Sequence, residues 1–96
     1  MTTEELEAMF ERHSEEERLK FDRVENPRHP RPDLCAFMML HDLVPAKRDM
    51  VCSAEHDEIF LDVDPEDLAR VATDDIVRDL VRCGVRYNGG SLAMFV

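Results

Sequence analysis

Glu58-Ile59-Phe60-Leu61-Asp62-Val63-Asp64-Pro65-Glu66-Asp67 is the stretch on which the fold turns. Ile59, Leu61 and Val63 alternate with Glu58, Phe60 and Asp62, the period-two pattern of a strand with one buried face. Asp64 then offers a capping side chain, Pro65 suits the first helical position, and Glu66 and Asp67 favour the positive end of a helix dipole. A strand over 58–63 therefore runs straight into a helix. That helix should stop near Ala72, where Thr73 caps another that begins Asp74-Asp75, turns Ile76, Val77, Leu80 and Val81 inward and ends at Gly84. Val85 to Asn88, Gly89-Gly90, and Ser91 to Val96 read as a hairpin, because glycine supplies the positive φ angles of a tight turn.

Upstream, Thr2 and Thr3 ahead of Glu4, Glu5 and Glu7 start a helix. Leu6, Met9, Phe10, His13, Phe21 and Val24 form its apolar stripe, interrupted by Glu17 and Lys20, so its second half is expected to be held less firmly. Asn26 to Pro32 carries Pro27, Pro30 and Pro32, which remove backbone donors and hold the chain extended. Pro32 and Asp33 open a helix that runs to about Val44 before Pro45. Its Leu34, Cys35, Phe37, Met38, Met39, Leu40 and Leu43 surround nearly the whole circumference, the pattern of a helix central to the core or covered by a partner chain. Residues 46–57 show no periodic pattern.

The sum is a single α+β domain over 33–96, an amphipathic helix over 1–25 and a proline-rich linker over 26–32. At 96 residues there is room for one core. The 44% hydrophobic and 35% charged composition is that of an ordinary globular chain. Cysteines number three, without regular spacing, and argue for reduced thiols; with an acidic N-terminus and no long apolar run, the expected location is the cytoplasm. A formal net charge of −10 repels phosphate and anionic lipid at long range, which disfavours nucleic acid and membrane and favours a basic protein partner.

From Asp33 onward the expected order is helix, strand, helix, helix, strand, turn, strand. This layout resembles a winged helix, in which two of the helices form a helix-turn-helix and the final hairpin is the wing. A DNA-reading version would use the 73–83 helix and the 85–96 hairpin, with Arg78, Arg82 and Arg86 on phosphates or base edges. Against it, Asp74 and Asp75 stand four and three residues before Arg78, and Asp79 three before Arg82, so local carboxylates can occupy the helix arginines.

Other constellations are weaker. Cys52 with His56, and Cys35 with His41, are residue types that zinc accepts, but none has the tight spacing of a zinc site, and Cys35 and Cys83 fit the core as small apolar residues. His13 reads as a packed or rim residue. Glu55-His56-Asp57-Glu58 surrounds one imidazole with carboxylates, yet has no glycine loop beside it and reads as a solvated turn. Asp62, Asp64, Glu66 and Asp67 lack the glycine and distal glutamate of a calcium loop and read as helix capping. Pro27-x-x-Pro30 with Arg28 and Arg31 is the minimal spacing for a polyproline groove, and reads more simply as a stiff linker.

These readings converge on a non-catalytic protein-interaction or regulatory module with no metal or cofactor. The residues expected to meet a partner are Phe60, Phe37, Met38 and Phe10, foremost Phe60, an aromatic on an otherwise acidic strand face. The N-terminal helix is expected to pack on the Phe37, Met38 and Phe60 region, in its own chain or exchanged with a second copy in a symmetric dimer.

Overall fold

In a computed structural model that describes residues 1–95, the chain folds as mixed helix and strand. The order is α1 (Thr3–Glu17), a short 3-10 turn (Phe21–Arg23), α2 (Pro32–Leu43), β1 (Val51–Glu55), β2 (Glu58–Leu61), α3 (Pro65–Val71), α4 (Asp74–Arg82), β3 (Arg86–Asn88) and β4 (Ser91–Phe95). The four strands form one sheet in the order β1-β2-β4-β3, antiparallel at every neighbour. No helix of the described residues is long and apolar enough to cross a membrane.

Each helix begins where its side chains can satisfy the free N–H groups. Thr2 and Glu5 exchange hydrogen bonds as a capping box at α1, Asp64 Oδ1 accepts from Glu66 N at 2.9 Å, and Thr73 Oγ1 accepts from Ile76 N at 3.3 Å. Termination of α4 is equally local. Gly84, at φ +99°, donates to Val81 O and Val85 donates to Leu80 O, the paired bonds of a Schellman motif. Gly89 and Gly90, both at positive φ, turn β3 into β4.

The strand at Ile59 does join the C-terminal hairpin, with Ile59 opposite Met94 and Leu61 opposite Leu92. These residues face inward with Tyr87, onto a core of Leu6, Phe10, Leu40, Leu68, Val77 and Leu80. The opposite face carries Phe60, Ala93 and Arg86 in one row and Glu58 and Phe95 in the next.

Three expectations are corrected. Helix α1 stops at Glu17: Leu19 takes a left-handed φ of 60°, and no basic residue stands in the last turn to balance Glu15, Glu16 and Glu17 against the dipole. Phe21 and Val24 still reach the core, from the 3-10 turn and the residue after it. The N-terminal helix does not lie on the Phe37, Met38 and Phe60 region. It packs in its own chain, chiefly along α4 and also on α3 and β3. Leu6 and Phe10 are buried there, and Arg12 and His13 reach Asp74 at one end of α4 while Glu17 meets Arg82 at the other. Helix α2 is not central. Cys35, Ala36 and Leu40 are buried, Phe37 is half-buried, and Met38 stays 43% exposed.

The unpatterned 46–57 stretch contains β1. A two-residue turn at His56 and Asp57, with φ of 51° and 64°, returns it against β2. All five residues of β1 are exposed, so neither of its faces had reason to be apolar.

Candidate functional site

The outer sheet face holds the best candidate surface. Strand alternation that turns Leu92 and Met94 into the core turns Ala93 and Phe95 outward, beside Phe60 of the neighbouring strand. Phe60 is half-buried and stands apart from the hydrophobic core cluster; Phe95 is 52% exposed. The Arg86 guanidinium lies 4.3 Å from the centre of the Phe95 ring and that of Arg18 5.3 Å, so two cations dress one aromatic. Glu58 fixes Arg86 by a salt bridge and accepts a longer bond from Asn88. Fully covered Ala93 forms the floor between them. Such a patch offers an apolar anchor with a charged frame, which suits recognition of another polypeptide.

The other expected contact residues are scattered. Phe37 and Met38 sit on α2, while Phe10 is 1% exposed with its ring 6.0 Å from that of Tyr87. Phe10 thus fills the core and presents no surface. Sequence reasoning passed over Phe95 as a surface residue and weighed Arg86 only as a nucleic-acid contact, although the alternation that singled out Phe60 applies equally to Ser91–Phe95.

The helix arginines are all engaged by carboxylates. Arg78 bonds Asp75 at 3.2 Å and approaches Asp79 at 3.5 Å. Arg82 bonds Glu17 at 2.7 Å, Asp79 at 3.0 Å and the Arg23 carbonyl at 3.1 Å, and Arg86 is held by Glu58. Asp74 turns away from Arg78 to α1, where the His13 ring at 3.0 Å and Arg12 hold its carboxyl below the ordinary 3.8. The Arg82 hydrogen bond likewise holds Glu17 below its ordinary 4.5, so both carboxyls stay ionised at neutral pH.

Among the described residues the remaining candidates lie apart or serve local structure. Cys35 and Cys83 meet in the core, where burial first and the neighbouring thiol second push Cys83 up to about 12, leaving it protonated and unreactive. Cys52 is exposed on β1, and no group of three or more His, Cys, Asp or Glu that could hold a metal occurs among the described residues. Asp62 pairs with Arg48, Asp64 caps α3 and Asp67 pairs with Arg70, so these acids serve local structure. In the proline segment Arg28 pairs with Asp42 and Arg31 with Asp33. That segment closes over α2 and α4 to leave a cleft of about 430 Å³, lined by Pro27, Met39, Leu43 and Ile76, whose Asp42 and Asp79 are occupied by arginines.

Comparison with known protein families, with curated proteins and with solved structures finds no match to the chain.

Proposed function

We propose that the protein is a small, acidic, non-catalytic interaction module of winged-helix-like form that docks a protein partner on the outer face of its sheet. The observation that carries this reading is the Phe60–Phe95 pair, placed outside the core with Arg86 stacked on one ring. An aromatic anchor with a preorganised arginine is the usual makeup of a binding hot spot. The −10 net charge favours a partner with a basic rim. The winged-helix form is supported by the sheet order β2-β4-β3 behind α2, α3 and α4, to which β1 adds a further edge strand. The module acts in the cytoplasm, as its reduced thiols suggest.

The same layout used on DNA would need Arg78, Arg82 and Arg86, and releasing each from its carboxylate costs affinity that phosphate contacts must first recover. Generic duplex is therefore expected to bind more weakly than the roughly 10⁻⁴–10⁻⁶ M of ordinary non-specific binding at physiological salt. Fluorescence anisotropy with a labelled duplex over a salt series measures this. Tighter, salt-sensitive binding that is lost on Arg78→Ala would replace the protein-partner reading with a nucleic-acid one.

A further inference from the structure

Two thiols and a thioether gather at the junction of α2 with α4. Cys35 and Met39 stand four residues apart on α2, hence on one face, and both line the cleft of about 430 Å³. From the other side Ile76 and Asp79 of α4 line it, and Cys83, seven residues beyond Ile76, continues that face. The Cys35 and Cys83 side chains share a hydrogen bond. Both thiols are free, at 0% and 2% exposure, and Met39 is half-buried against the same core. The carboxylates of the cleft are otherwise occupied. Arg28 holds Asp42, Arg78 and Arg82 hold Asp79, and only Glu25, at the exposed rim, has no ion pair among the described residues.

Donor type selects the ligand. Thiolate and thioether sulfur favour a soft ion such as Cu(I). Zinc takes four donors, and no third His, Cys, Asp or Glu joins the two thiols among the described residues. Charge points the same way. Burial first and the neighbouring thiol second push Cys83 up to about 12, because a bare thiolate there is an uncompensated charge. The proton that keeps this thiol inert as a nucleophile can be exchanged for Cu(I) without altering the charge of the core. The S–H bond breaks, an S–Cu bond forms, and the proton leaves to water with no change of oxidation state. At −10 the chain also draws cations toward it.

We propose that Cys35 and Cys83, with Met39 as the third sulfur, bind one Cu(I) ion that enters through the cleft between α2 and α4. Ligation ties the two helices together through the metal. The site shares no residue with the Phe60–Phe95 face and does not rest on docking there.

The test is anaerobic titration of the reduced full chain, carrying Cys52→Ser to remove the exposed thiol, with Cu(I) held as its coloured bicinchoninate chelate. One equivalent is expected to leave the chelate, with a new near-ultraviolet absorption from thiolate-to-copper charge transfer. Cys35→Ala and Cys83→Ala should each abolish this transfer. Met39→Leu, a volume-conserving change that keeps the fold, should weaken it by about tenfold. If an alanine variant fails to fold, the intact site decides: Cu(I) should raise the melting temperature of the Cys52→Ser chain, as a ligand of the folded state does, and equimolar Zn(II) should not. No copper withdrawn from the chelate, transfer that persists in a folded Cys35→Ala or Cys83→Ala chain, Met39→Leu at the parent's affinity, or a melting temperature unmoved by Cu(I) or raised equally by Zn(II) would each overturn the proposal.

Discussion

Phe10→Ala is expected to lower the unfolding free energy by about 3–5 kcal/mol, the usual cost of deleting a buried aromatic ring. The side chain is 1% exposed, at the junction of α1 with β3, and its ring faces Tyr87. Against a total stability of about 5–15 kcal/mol for a natural domain, such a loss brings the chain close to unfolding. The size of the effect separates two views of α1. A helix tethered by a stiff linker and laid on the surface would tolerate the change, whereas a helix supplying Leu6 and Phe10 to the one core would not. Urea denaturation of the variant beside the parent decides between them; a midpoint shift equivalent to less than about 1 kcal/mol would place Phe10 outside the core.

A chain shortened to end at Ala93 is expected to lose cooperative unfolding altogether. Strand β4 is an interior strand of the sheet, bonded to β2 on one side and β3 on the other. Removing Met94 takes away the partner of Ile59 and a nearly fully buried side chain, and removing Phe95 takes away the partner of Glu58. The remaining Leu92 and Ala93 give β2 and β3 too little to pair with, and short two-stranded pieces are marginal in water. Thermal unfolding followed by circular dichroism should show a broad, sloping change in place of a sigmoid. A truncated chain that melts like the parent would contradict the sheet order.

Most of the architecture was legible in the residues because local chemistry and burial agree there. Asp64-Pro65 and Thr73 start helices by supplying acceptors to free N–H groups, Gly84 ends one, and Ile59, Leu61, Leu92 and Met94 mark a face that is in fact buried. Where burial is absent, so is the signal. Strand β1 has no inner face, hence no alternation, and only His56 and Asp57 at positive φ betray its turn. The place of α1 was not legible either. Its stripe shows that it packs, but the choice of α4 over α2 rests on long-range pairs such as Glu17–Arg82 and Asp74 with Arg12 and His13, which no spacing reveals. At the candidate surface, Phe60 was recognisable from a single strand. Its partnership with Phe95 depends on a register between strands more than thirty residues apart in sequence, and that with Arg86 on the hairpin register as well.

The docking face is tested most directly by comparing what co-purifies with the intact protein and with Phe60→Ala/Phe95→Ala. Both rings lie outside the core cluster, so the variant should keep the parent's fold and melting transition. A protein retained by the parent and lost from the equally folded variant, with the same contrast when that partner is purified and titrated, is the expected result. A partner that binds both forms with equal affinity would contradict the assignment of the outer sheet face as the docking surface.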